Sequence, residues 1–109
     1  MMIASRALRL RRAGNDVEIP IRIFAPKPQP IDWSCRFEIG WPDGILSAEA
    51  MGVDAIQALD LALKMIGATI YASDHHASGN LIWLEPGKGY GFPVTHGIRD
   101  LLVGDDEKL

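Results

Sequence analysis

The sequence predicts an α+β fold in two layers: a mainly antiparallel sheet of four to six strands, with one long helix packed on one face. Two observations lead there. Apolar residues fall at every second position through the first half of the chain, and the spacing then changes to three and four. The first period belongs to strands with one buried face and the second to a helix with an apolar stripe. At 109 residues the chain is expected to be one domain spanning 1–109, large enough to fold around its own core without metals or disulfides.

The elements follow in order. Leu8 and Leu10 alternate with Arg9 and Arg11, which predicts a strand near the N-terminus. The same stretch holds Arg6, Arg9, Arg11 and Arg12 with no acid before Asp16, a composition shared with organellar targeting peptides, but it has no apolar run of a secretory signal. A native strand is the expectation. Val17, Ile19, Ile21 and Ile23 form a second strand, joined to the first through Gly14-Asn15-Asp16. Pro20 has no amide hydrogen, so this strand is expected at an edge or with a bulge. The proline-rich residues 25–30 predict a stiff extended connector. Trp33, Cys35, Phe37, Ile39 and Trp41 alternate again, and Trp41-Pro42-Asp43-Gly44 turns into a strand over residues 45–51. Connections this short require an antiparallel meander.

Residues 54–72 are expected to be helical. Asp54 and Gln57 have the spacing of a reciprocal N-terminal cap, and the apolar stripe runs past Gly67 to Ile70. On a wheel, Ile56, Leu59, Leu63, Ile66 and Ile70 form one flank, and Ala58, Leu61, Met65, Ala68 and Ala72 another. A sheet can bury one flank. The other needs cover, from Ile98, Leu101 and Leu102 of the same chain or from a second protein. Leu61, Met65 and Ala68 are therefore the interaction candidates. Residues 73–80 read as a polar loop, residues 81–84 as a short apolar strand, and residues 91–94 as a brief returning strand. A closing helical turn is expected around Ile98, Leu101 and Leu102, followed by an acidic tail.

Chemistry-bearing residues are few. Asp74, His75 and His76, with His96 as a further nitrogen ligand, are the candidates for a small-ligand or metal site. Adjacent histidines point in different directions, and no spaced ligand frame accompanies them, so no metal or other cofactor is expected. An exposed, titrating loop is the plainer reading. Gly87-Lys88-Gly89-Tyr90-Gly91 lacks the spacing of a phosphate loop and the helix that must follow one. Cys35 alternates with apolar residues, so its thiol is expected in the core, with a raised pKa and no nucleophilic role.

Charge is uneven. Residues 1–36 carry seven basic and three acidic side chains, while residues 37–109 carry four and eleven. Arg9, Arg11, Arg22 and Arg36 project from the outer sheet face. Only Phe24 is aromatic there, and Glu18 and Glu38 break up the positive charge, so nucleic acid is not an expected partner. No apolar run is long enough to span a membrane, and a cytoplasmic location is expected.

The stretch Gly52-Val53-Asp54-Ala55-Ile56-Gln57-Ala58-Leu59, with Leu61-Ala62, Ile66-Gly67 and a later Gly91-Phe92-Pro93, resembles an uncharacterised bacterial family of small domains of unknown function. The likeness covers roughly residues 17–94 and implies strands first, then the capped helix, then a Gly-Phe-Pro ending. It implies no activity, substrate or site residues. The expected function is a non-enzymatic protein-interaction domain, with a homodimer or another protein as partner. The contact would use the flank of Leu61 and Met65 or a sheet edge. The alternative is a ligand-binding or enzymatic domain with its site near residues 74–76 and His96.

Overall fold

The alternating segments become strands in the computed structural model, which describes residues 1–93. Strand β1 (Met2–Leu10) pairs antiparallel with β2 (Val17–Phe24), from Leu10 opposite Val17 to Met2 opposite Phe24, with a register shift between Met2 and Ala4. Next comes β3 (Lys27–Pro28), then β4 (Trp33–Trp41) and β5 (Gly44–Gly52). The last two pair along their whole length, from Trp33 opposite Gly52 to Trp41 opposite Gly44. The far edge is closed by β6 (Leu81–Ile82) against β1. All six strands form one antiparallel sheet, covered on one face by α1 (Ala55–Tyr71), with a short α2 (Asp74–Ala77) beyond it.

The expected meander is present, with three corrections among its strands. Because β5 occupies one edge of β4, β3 must share the other edge with β2. The proline-rich connector therefore contributes two residues to the sheet. Pro20 lies in an interior strand, between β1 and β4, instead of at an edge. The ladder from β2 to β4 starts only at Ile21, and Gly40 stands beside the ring, where a Cβ would lie 2.8 Å from the Pro20 Cγ. Ending the ladder and omitting a side chain make room for the proline. The predicted strand over residues 81–84 stops at Ile82, because Leu84 turns to a φ of 63° and Trp83 bridges back to Glu85.

Helix α1 starts as its cap predicts. The Gln57 amide donates to the Asp54 carboxylate at 2.8 Å, and the Gln57 side chain accepts from the Val53 amide at 2.7 Å, one residue earlier than the usual reciprocal bond. Gly67 is buried inside the helix, which continues to Tyr71. The buried face differs from the expected flank: Ala58, Ala62, Ile66 and Ile70 meet the sheet, whereas Ile56 is 78% exposed. They pack on Leu8, Ile21, Phe37 and Ile39 in one core. Alanines occupy the near turns because the helix lies close to β5, whose inward residues Ala48 and Ala50 are also small.

Residues 73–80 are not a plain loop. Ser73 accepts the His76 amide at 3.2 Å and starts α2. Residues 91–93 form no strand. Val94, His96 and the closing turn at Ile98, Leu101 and Leu102 lie outside the described residues. No described helix is long and apolar enough to cross a membrane.

Candidate functional site

The two histidines of α2 diverge as adjacent side chains on a helix must. His75 stacks on Trp41 of β4, ring centroids 5.0 Å apart and planes 25° from parallel. His76 faces the other way. Its Nδ1 lies 2.6 Å from the Tyr90 hydroxyl, and its ring meets Tyr71 edge-on at 4.7 Å. Burial lowers the His76 pKa, which favours a neutral ring whose Nδ1 accepts the phenol proton. The Tyr90 hydroxyl also lies 3.4 Å from the Leu81 carbonyl, an alternative acceptor for that proton. The expected exposed, titrating loop is thus a half-buried packing joint. Asp74 is exposed at the start of α2. Among the described residues, no group of three or more His, Cys, Asp or Glu side chains is placed to hold a metal ion.

Arg6 is a residue that the sequence reading passed over. It shares a face of β1 with Leu8 and Leu10, so it points to the helix side, unlike Arg9. Its Nη1 donates to the carbonyls of Tyr90 and Gly91 at 3.0 and 3.1 Å. Its guanidinium lies 4.0 Å from the Trp83 ring centre and 4.7 Å from that of Phe92. Beside it runs an open groove of about 240 Å³, lined by Ala4, Ile21, Ile23, Leu63 and Phe92 among others. The parity of Arg6 with Leu8 and Leu10 was the available signal.

On the outer face, Arg36 covers Phe24 at 3.8 Å and pairs with Glu38 at 2.8 Å, while Arg9 pairs with Asp16 at 3.2 Å. The one aromatic ring that a nucleobase could stack on is already capped by a guanidinium. Cys35 is fully buried, its pKa raised by desolvation, and its thiol donates to the Phe24 carbonyl at 3.3 Å.

One further surface combines exposed apolar side chains with a strand edge that is open among the described residues. Strand β5 pairs, among the described residues, with β4 alone, which leaves a nine-residue outer edge. Ile45 and Met51 project from its outer face, 66% and 45% exposed. Above the edge runs α1, which packs over β4 and β5. Leu63 faces the groove against Ile21 and Ile23 of β2, so the flank across the helix axis, Leu61, Met65 and Ala68, lies on the β5 side. Leu61 is half-buried against the core, Ala68 is half-buried, and Met65 is 38% exposed. The described chain ends at Pro93 beside the groove, on the opposite side of α1 from this flank. Ile45 and Met51 were missed as candidates because alternation marks them as wet, and only strand order shows that they border an open edge.

A family model described as Domain of unknown function (DUF6968) matches residues 4–94. No curated protein and no solved structure matches the chain.

Proposed function

We propose, from the premise that this chain belongs to the family described as Domain of unknown function (DUF6968), that it is a non-enzymatic protein-interaction domain. Its contact surface is the outer edge of β5 together with the adjoining flank of α1. The single observation that carries this reading is the nine-residue edge, flanked by Ile45 and Met51 on one face and Met65 on the other. An edge strand presents a row of amide and carbonyl groups ready to pair with another chain, and proteins that do not use such an edge blunt it with charge, proline or a bulge. In β5 the one charged residue is Glu49, no proline occurs, and the pairing with β4 runs without a register shift. The rival reading, a ligand site at Asp74, His75 and His76, has less support, since His75 is stacked on Trp41 and His76 is bonded to Tyr90.

The test is a photo-crosslinking amino acid placed at Met65, and at the exposed Glu18 of β2 as a control, with the chain expressed in its own host cell. Position 65 should give adducts of discrete mass and position 18 none. Equal labelling of both positions, or none at 65, would contradict the proposal.

A further inference from the structure

We infer that the occupant of this surface is a second copy of the chain, joined β5 to β5 in an antiparallel register centred on Ala48. One sheet would then run through both copies. The inference rests on the reading of the β5 edge as a contact surface and adds the partner and the register.

Two identical strand edges joined about a two-fold axis perpendicular to the sheet pair antiparallel, and each contact away from the axis occurs twice. Opposed residues of an antiparallel pair project to the same face, so only registers that pair like parity keep the two pleats in phase, and both helices then lie on one side of the joined sheet. The three most central such registers place residue 47, 48 or 49 on the axis. Centring on Glu49 sets Glu49 against its own copy, a repulsive pair. Centring on Ser47 sets Ile45 against Glu49. Centring on Ala48 alone uses all nine residues of Gly44–Gly52. It sets Ile45 against Met51, Leu46 against Ala50 and Ser47 against Glu49, each twice. Both exposed apolar side chains of the outer face then find apolar partners. The sole acid finds a hydroxyl, and within its own chain it already sits opposite Arg36.

The helix layer fits the same arrangement. Adjacent strands lie about 4.8 Å apart. A helix seated between β4 and β5 would therefore stand about 10 Å from its copy across the axis, near the upper end of the 8–10 Å at which helices pack. The flanks that would meet carry Leu61, Met65 and Ala68, and the small Ala68 permits close approach. In a parallel pairing of the two edges the helices would fall on opposite faces, and these flanks would stay in water.

The test joins solution mass to a register-specific crosslink. Wild-type chain should give, by light scattering near 100 µM, about twice the monomer mass of 12.0 kDa. The double variant Ile45→Cys/Met51→Cys should form a covalent dimer under oxidised glutathione. Each single variant should form at least tenfold less, because equivalent positions lie far from the axis. Six residues of strand span roughly 20 Å, so the two new thiols cannot join within one chain. Cys35 is buried and should stay unreacted. Ser47→Lys, placed opposite the partner's Glu49, should lower the dimer Kd at least twofold, and this readout holds even if the double variant fails to fold. A monomer mass at every concentration, single variants that link as well as the double, or an unchanged or raised Kd in Ser47→Lys would overturn the inference. If the mass is monomeric while Met65 still crosslinks to a protein of different mass, the partner is wrong and the proposed function stands. If Met65 crosslinks to nothing, both fall.

Discussion

A Cβ placed on Gly52 would lie 2.4 Å from the backbone nitrogen of Ala58, so the end of β5 and the first turn of α1 meet backbone to backbone. This contact sets the height of the helix above the sheet, and with it the position of Leu61, Met65 and Ala68 over the β5 edge. Alanine at position 52 would have to push the helix away. Gly52→Ala should lower the free energy of unfolding by about 1–3 kcal/mol, the usual cost of overpacking. Urea denaturation measures it, and an unchanged midpoint would mean that strand and helix do not touch there.

The helix start gives a smaller effect with a clear cause. Asp54→Ala removes the acceptor of the Gln57 amide and should cost about 1 kcal/mol. Asp54→Asn keeps an acceptor and should cost much less. The same denaturation series separates the two, and equal losses would argue against a capping role.

Arg6 holds residues 90–92 against β1. Arg6→Ala removes a charged donor to the Tyr90 and Gly91 carbonyls and should cost about 1.5–3 kcal/mol. Arg6→Lys keeps the charge but cannot lie flat against Trp83, so only part of the stability should return. Gly91→Ala should be at least as harmful as Arg6→Ala. Gly91 has a φ of 78°, and an added Cβ would lie 2.5 Å from the Trp83 ring and 2.7 Å from Arg6. Thermal unfolding followed by tryptophan fluorescence reads all three variants.

His76 predicts a pH dependence with a definite sign. Its pKa is lowered by burial in the folded chain, so near its titration the unfolded chain binds more protons. Its contribution to stability is complete above the unfolded value of about 6.5 and is lost as pH falls through the lower folded value. His76→Phe should flatten the slope of unfolding free energy just below about pH 6.5, and Tyr90→Phe, which leaves the ring buried, should keep much of that slope. A slope unchanged in His76→Phe would show that the ring does not titrate with folding.

The elements that declare themselves in the sequence are those whose signal is local. Val17 to Ile23 and Trp33 to Trp41 alternate over their own lengths, and Asp54 and Gln57 mark the helix start. What could not be read locally depends on neighbours distant in the chain. Pro20 suggests an edge because its lost donor is local, whereas the glycine beside it lies twenty residues on. The wheel around α1 weighs side chains by size and so favours Ile56 over Ala58, but the nearness of Gly52 reverses the choice. At the candidate sites, the pairing of His76 with Tyr90 and the clamp of Arg6 on residues 90 and 91 join parts of the chain that share no motif. The edge of β5, open among the described residues, shows only in the strand order.

Amide hydrogen exchange along Gly44–Gly52, measured from low micromolar to several hundred micromolar protein, tests the contact surface most directly. The amides of β5 that point away from β4, every second one along the strand, should become protected as concentration rises, while those bonded to β4 stay slow throughout. Outward amides that exchange equally fast at every concentration would contradict pairing through this edge.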